Sequence, residues 1–149
     1  MASDDLEIDD AVREDAAPPI DRGVSEIGAL LGEHVAAFAS CRGIILTDDD
    51  GHPIDFARRP DRISRLDLQI VGAQIERALT ALRTWTAGRG LGRPIVTLGA
   101  ERGILMSAAL AGDLTLAALY ATRGEIEPLA VIEASFAGLS RRLGDLLGG

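Results

Sequence analysis

The sequence predicts an α+β domain whose elements follow the order α-β-β-α-β-β-β-α, with antiparallel neighbouring strands. Three observations support this prediction. Apolar residues recur at three- and four-residue intervals in three separate segments, as they do on one face of a helix. A hairpin pattern, GIILTDDDGHPI, follows the first of these segments. Three β-type segments joined by short loops follow the second, and such loops favour antiparallel neighbours.

The first helix is expected between Asp21 and Ser40, and its apolar face contains Val24, Ile27, Leu30, Leu31, Val35 and Phe38. A strand rich in β-branched residues follows from Gly43 to Thr47. The segment from Asp48 to Gly51 has the composition of a tight turn. Pro53 begins the return strand, which favours an edge position because proline has no N–H for a second neighbour.

A long helix is expected from Ser64 to about Thr86. Ser64 is the predicted N-cap, and Asp67 three residues later resembles the acidic partner of a capping box. At about 100° per residue, one apolar stripe contains Leu68, Val71, Ile75, Ala78, Leu79, Leu82 and Trp85. A second stripe, on the opposite side, contains Leu66, Ile70 and Ala73.

The second stripe predicts a further contact for this helix. A helix that rests on one sheet needs a single apolar stripe, so Leu66, Ile70 and Ala73 require another surface to cover them. A symmetric copy of the same helix is one solution. A neighbouring loop or the N-terminal segment of the same chain is the other.

The glycine-rich segment AGRGLGR, residues 87–93, ends the long helix. Three strands are then expected at Ile95–Leu98, Ile104–Leu110 and Leu114–Ala121. Pro128 is typical of a first helical residue. The closing helix has one apolar face, formed by Leu129, Ile132, Phe136, Leu139, Leu143 and Leu147.

Length and charge bound the class of protein. The 149 residues fit one domain, and the formal net charge is -8. Residues 1–20 are predicted to form an acidic, solvated or disordered arm, and residues 21–149 the folded domain. This balance opposes binding to nucleic acid or to an acidic membrane. Because neither a secretory signal nor a spanning segment is visible, we expect a cytoplasmic protein without membrane insertion.

No group of residues predicts catalysis, a bound metal or a cofactor. Asp48 to Asp50 lack the ligand alternation of a calcium loop, so a hairpin turn is the better interpretation. The glycine-rich segment follows a helix and precedes a strand, the reverse of a phosphate-binding loop. His34 and His52 lack a second ligand at metal spacing. Cys41, the only cysteine, is expected to be a buried thiol. We therefore expect a protein that is not an enzyme.

Arg58, Arg59, Arg62 and Arg65 form a basic cluster just before the long helix. Four charged residues in a connecting loop are often no more than a solvated surface. The alternative is a binding surface for an acidic partner, or for the acidic start of the same chain.

This order of elements resembles the roadblock / dynein light chain superfamily over about Val24 to Leu147. The hairpin GIILTDDDGHPI and the segments ERGILMSAAL and LTLAALYATRGE carry the resemblance. It implies a sandwich in which a five-stranded antiparallel sheet has the long helix on one face and the terminal helices on the other. It also implies a homodimer or a heterodimer, in which Ile95, Val96, Thr97 and Leu98 pair across the two-fold axis and the long helices pack together.

The resemblance extends to function, because bacterial members commonly regulate small Ras-like GTPases, including a GTPase-activating protein for a polarity switch in gliding bacteria. The first hypothesis is thus a non-catalytic dimeric module that binds such a GTPase and regulates it as an activator or a scaffold. The alternative is a small-molecule-sensing domain with a ligand pocket between sheet and helix. The small residues of that alternative pocket are Ser107, Ala108, Ala109, Ala117 and Ala118.

Overall fold

The computed structural model describes residues 19–121 and 126–148. It contains the strands β1 (Asp21–Arg22), β2 (Cys41–Thr47), β3 (Pro53–Arg58), β4 (Ile95–Ala100), β5 (Gly103–Ala109) and β6 (Thr115–Ala121). The helices are α1 (Glu26–Ala37), α2 (Arg65–Ala87) and α3 (Leu129–Leu146). The predicted order is confirmed, with one short strand added before the first helix.

The six strands form one antiparallel sheet in the order β1-β3-β2-β6-β5-β4. The prediction of five strands was wrong because Asp21 and Arg22 pair with β3 instead of starting α1. Ser25 sets the later start, since its Oγ accepts the Gly28 N–H at 3.1 Å as an N-cap. The prediction that the long helix and the terminal helices cover opposite faces is confirmed.

The main core lies between the sheet and the pair α1 and α3. Alternate residues of the central strands point into it, among them Ile44, Leu46, Leu116 and Ala118. Helix α3 contributes Ile132, Phe136, Leu139 and Leu143, four positions of its predicted face. Leu129 and Leu147, at the two ends of that face, are exposed instead, because they lie beyond the part of the helix that contacts the sheet.

The layer between α2 and the sheet is thinner. It contains a small cluster of Ile45, Ile63, Leu68 and Ala117. Gly72 allows this close approach, since a Cβ atom there would lie 2.9 Å from Thr47 Cγ2 and 3.0 Å from Ile45 Cγ2. Further along the helix the layer becomes polar, with Glu76 buried and its Oε1 accepting the Thr80 hydroxyl at 2.6 Å.

The predicted sheet-facing stripe of α2 therefore needs a correction. The buried positions are Leu68, Gly72, Glu76 and Leu79, whereas Ala78, Leu82 and Trp85 of the predicted stripe are exposed. The prediction was wrong because it placed the most hydrophobic stripe of α2 against the sheet. In the structure a glycine and a carboxylate occupy part of the sheet-facing side. The predicted N-cap is present, as Ser64 Oγ accepts the Asp67 N–H at 3.0 Å.

The predicted acidic arm falls almost entirely on residues 1–18, which lie outside the described residues. Of its last two residues, Ile20 packs half-buried against the main core. The boundary at residue 21 stays a prediction. None of the helices in the described ranges combines the length and apolar character that crossing a membrane requires.

Candidate interaction surface

The outward side of α2 has exposed apolar residues towards both ends of the helix. Leu66 is 65% exposed and Trp85 51% exposed, with Ile70 and Leu82 between them. The small residues Ala78 and Ala81 extend the same side. We call these six residues the α2 apolar face. The exposed Gln74 and Arg77 lie on the same side between the two ends. Groups of exposed apolar residues are typical of a site that binds another protein.

An arginine side chain lies at each end of the α2 apolar face, stacked on a different aromatic ring. At the C-terminal end, the Arg89 guanidinium lies 4.1 Å from the centre of the Trp85 ring. At the N-terminal end, the Arg65 guanidinium lies 4.6 Å from the centre of the Phe56 ring and also contacts Asp21. Arginine side chains therefore border the apolar face at both ends.

Strand β4 is the last strand of the sheet and has a free edge. Within the described residues it pairs only with β5, in a regular register from Ile95 opposite Ala108 to Ala100 opposite Gly103. The Pro94 carbonyl accepts the Ala109 N–H at 3.0 Å, so alternation leaves the N–H and C=O groups of Ile95, Thr97 and Gly99 pointing away from β5. Such a row of free groups can pair with another strand.

The residues predicted for a dimer contact lie on this surface, with differences in exposure. Leu66 and Ile70 are exposed on α2. Ala73 is half-buried, because Gly51 in the β2–β3 turn lies against it. Among the predicted β4 residues, Ile95, Thr97 and Leu98 are exposed and Val96 is half-buried. The dimer contact itself stays a prediction.

The basic cluster is divided by the fold. Arg59 donates to three main-chain carbonyls at the end of α1, those of Val35 at 2.6 Å, Phe38 at 3.2 Å and Cys41 at 3.1 Å. Arg58 donates to Asp21 at 2.9 Å and to the Ile63 carbonyl at 2.8 Å. The side chains of Arg62 and Arg65 are exposed. Any role in partner binding is therefore best assigned to the last two.

The hairpin turn gathers Asp48, Asp50 and His52 within reach of one another. The carboxylate of Asp48 stabilises the turn, because its Oδ1 accepts hydrogen bonds from the N–H groups of His52 and Asp50, both at 2.9 Å. The hydrogen bond from the His52 N–H is the main cause that lowers the pKa of Asp48 below its ordinary value, and the bond from the Asp50 N–H adds to this effect. These contacts are those of an Asx-type turn.

His34 and Cys41 are buried inside the main core. The Tyr120 hydroxyl lies 2.5 Å from His34 Nε2, and Ser135 Oγ lies 3.4 Å from His34 Nδ1. Burial lowers the pKa of His34 to about 4 and raises the pKa of Cys41 to about 12. A neutral imidazole and a protonated thiol without solvent access are suited to packing, not to nucleophilic chemistry.

Two open grooves lie at the end of the sheet near Arg93. One, of about 470 Å³, runs between Ile95, Leu110 and α3, and the other, of about 490 Å³, lies between Arg83, Pro94 and Asp113. Of the small residues predicted to line a ligand pocket, Ala108 and Ala109 border the first groove. Ala117 and Ala118 are packed into the two cores instead. A sensing role thus stays a prediction.

The outward apolar residues that the sequence reasoning assigned to the wrong side are Leu82 and Trp85. At about 100° per residue, Trp85 lies about 60° from Ile70 around the helix and Leu82 about 120°, so only Trp85 falls near the side of Ile70. The spacing therefore indicates the outward side for Trp85 alone, whereas a large apolar residue near the end of a helix is usually buried, which favoured the sheet-facing prediction. The structure moves both residues onto the α2 apolar face.

Comparison with known proteins identifies the fold. No family model and no curated protein sequence matches the chain. Among solved structures, MglB from Myxococcus xanthus matches with a TM-score of 0.68 and 14% identity, covering 84% of this chain and 97% of that one. A Roadblock/LC7 domain from Streptomyces avermitilis gives 0.64 and 17%, covering 84% and 100%.

A third match is the gliding protein MglB from Thermus thermophilus. Its TM-score is 0.67 at 15% identity, and the match covers 80% of this chain and 86% of that one. These structures share the arrangement of three helices around an antiparallel sheet, although few residues are identical. The chain therefore has the roadblock fold that its sequence resembles.

Proposed function

We propose that this protein is a non-catalytic dimeric module that binds and regulates a small Ras-like GTPase. The observations that support the proposal most strongly are the exposed apolar residues of α2 and the free edge of β4, on a fold also found in MglB. Binding through such surfaces requires complementarity of shape and charge, and no catalytic side chain from this chain.

In this proposal the dimer forms first, through α2 and β4. The outward groups of Ile95, Thr97 and Gly99 match a second copy when Thr97 faces its own counterpart across the two-fold axis, with Ile95 opposite Gly99. The same arrangement brings the two α2 helices together, so Leu66 and Ile70 become buried. A tetrameric arrangement described for MglB is a property of that protein.

The dimer is tested with Ile70→Arg, matched by Val131→Arg on the exposed side of α3. Both side chains are about half exposed, so neither change should unfold the protein. We expect Ile70→Arg to weaken self-association at least tenfold in sedimentation velocity and Val131→Arg to leave it unchanged. Trp85 is the only tryptophan, and its emission should shift to shorter wavelength as the unmodified protein associates. A concentration-independent monomer would contradict the dimer.

The partner is tested with a purified Ras-like GTPase encoded near this protein, loaded either with GDP or with a non-hydrolysable GTP analogue. We expect biolayer interferometry to show at least tenfold tighter binding to one nucleotide state, because a regulator must distinguish the two conformations. Equal or undetectable binding of both states would reject GTPase regulation. Rates of GTP hydrolysis then separate an activator from a scaffold.

The cellular location follows from this function, since a regulator must meet its GTPase in the compartment where nucleotide exchange takes place. We therefore propose a cytoplasmic protein. Immunoblotting of fractionated cells provides the test, with the partner GTPase as the reference. Recovery of the protein outside the cytoplasmic fraction while the GTPase remains in it would contradict the proposal.

A further inference from the structure

The chain enters the folded domain beside the N-terminal end of α2. Asp21, the first residue of β1, has one carboxylate oxygen 2.9 Å from Arg58 Nε and 3.3 Å from Arg65 Nε. Arg65 is the first residue of α2, so this acidic residue joins the edge of the sheet to the start of the helix. Since β1 runs antiparallel to β3, the preceding residues leave the edge near Pro60 and the loop that leads into α2.

The surface beside this entry point combines apolar and basic groups. Leu66 and Ile70 are exposed on the first two turns of α2. Arg62 and Arg65 lie at one end of this pair, and Arg77 lies on the same side of the helix two turns further on. We call these five residues the entry patch. Its three arginines are positively charged and its centre is apolar, although Arg62 also lies 3.7 Å from Asp61 and Arg65 lies 3.3 Å from Asp21.

The 18 residues before Pro19 have the complementary composition. They include seven acidic residues and one arginine, a formal charge of -6, and three larger apolar residues, Leu6, Ile8 and Val12. A chain of 18 residues spans at most roughly 60 Å, whereas α2 is about 35 Å long. Every position of the entry patch is therefore within reach of this segment.

We propose that residues 1–18 bind the entry patch of their own chain and compete there with a second copy of the protein. Asp21 already shows the acidic-to-arginine pairing at the point of entry. The segment is held near the patch by the chain itself, so its effective concentration is high and weak contacts suffice. The competition with a second copy rests on the proposed dimer. The proposed contact between residues 1–18 and the entry patch forms within one chain and does not depend on the dimer.

The competition predicts an unusual salt dependence of self-association. Salt screens the attraction between the acidic segment and the arginines, with a Debye length of about 10 Å at 0.1 M and about 3 Å at 1 M. Contacts between apolar side chains of two copies are not weakened in this way. Dimerisation through the α2 apolar face should therefore become tighter as salt is raised.

The contact is tested directly in the full chain with a nitroxide label on a cysteine introduced as Ala11→Cys. Cys41 is fully buried, so the label should react at the introduced site alone. We expect the methyl resonances of Leu66 and Ile70 to be broadened at 50 mM NaCl and to recover at 1 M. The methyl groups of Val131, on the other side of the domain, are the control and should not change.

Two further samples identify the source of the effect. Replacing Arg62 and Arg77 by glutamine should remove most of the broadening, and neither change breaks the ion pairs of Asp21. Mixing spin-labelled protein with isotope-labelled, unmodified protein reports only contacts between copies. Broadening confined to the mixed sample would overturn the proposal in favour of a second copy, and no broadening at 50 mM NaCl would reject any contact of this segment.

The consequence for assembly is measured separately. Replacing Asp4, Asp5, Asp9 and Asp10 by asparagine should tighten the dimer three- to tenfold at 50 mM NaCl and have little effect at 1 M. An unchanged dissociation constant at low salt would reject the competition. A protein that stays monomeric in every condition would reject the dimer, whereas the broadening at Leu66 and Ile70 would still decide the contact within one chain.

Discussion

His34 on α1 and Tyr120 on β6 are joined by a buried hydrogen bond of 2.5 Å, although they lie 86 positions apart along the chain. The Phe38 and Phe136 rings lie beside the imidazole at 5.0 Å and 6.3 Å between ring centres. Ser135 on α3 contacts the other ring nitrogen. One side chain thus connects both helices of the main core to the sheet.

This position predicts how stability depends on pH. The pKa of His34 is about 4 in the folded protein and about 6.5 in the unfolded chain, because burial disfavours the charged ring. The unfolded state therefore binds the proton first, and stability is lost as pH falls from 6.5 towards 4. The loss should approach about 3 kcal/mol below pH 4.

Urea unfolding at pH 7.0, 5.5 and 4.5 measures this loss. His34→Gln keeps hydrogen-bonding groups but does not titrate, so its stability should vary less across this window by about 2–3 kcal/mol. His52→Gln is the control, because that ring is exposed on the hairpin turn and should not affect the slope. Equal pH dependence of the His34 variant and the unmodified protein would contradict the assignment.

Arg59 predicts a structural effect that the neighbouring arginines do not share. Its guanidinium occupies three carbonyl groups where α1 ends and β2 begins. Arg59→Ala should reduce the free energy of unfolding by about 2 kcal/mol, since hydrogen bonds to charged groups contribute about 1.5–3 kcal/mol. Arg62→Ala should change it by less than about 0.5 kcal/mol, because its ion pair with Asp61 is exposed. Chemical denaturation of both variants provides the comparison.

The close contact between Gly72 and the sheet predicts that a larger side chain at this position reduces stability. Any side chain at this position must displace Thr47 and Ile45. Gly72→Val should destabilise the protein by about 1–3 kcal/mol through overpacking, despite the loss of a helical glycine. Gly138→Ala in α3 is the matched control, because its Cβ would meet only Arg141 at 3.8 Å. That variant should be unchanged or more stable by up to about 1 kcal/mol in the same denaturation experiment.

Substitution of Thr97 tests whether the edge of β4 pairs with a second copy. Its N–H points away from β5, so Thr97→Pro removes a donor from the free edge without breaking a bond of the sheet. We expect this variant to retain its melting temperature within a few degrees and to lose self-association in sedimentation velocity. Thr97→Ala keeps the N–H and should associate normally. Unchanged association of the proline variant would place the dimer contact elsewhere.

The hairpin GIILTDDDGHPI shows how far local sequence determines this fold. A run of consecutive apolar residues and a turn built from aspartate and glycine indicate the β2–β3 hairpin from local sequence. Ser64 similarly determines where α2 begins, because its side chain caps a nearby N–H. The order of the helices and longer strands was predictable for this reason, since each signal acts over a few residues.

Other features depended on contacts between distant parts of the chain. Asp21 and Arg22 become a strand only because β3 presents an edge to them, and a two-residue segment carries no pattern that could predict this. Glu76 is buried and Trp85 is exposed, the opposite of what their hydrophobicity predicts. The reason is that α2 packs over the small cluster around Ile45, with Gly72 at the close approach. The separation of Arg59 from Arg62 likewise follows from where α1 ends.

The sequence by itself thus determined which segments form helices and most strands, their order and the absence of a recognisable catalytic motif. The tertiary structure decided which face of α2 is free, which arginines are available to a partner and where the N-terminal segment enters. The physical reason is that secondary structure follows from local hydrogen bonds and apolar periodicity, whereas exposure depends on which elements pack together. For Leu66, Ile70 and Arg62, that packing defines the proposed interaction surface.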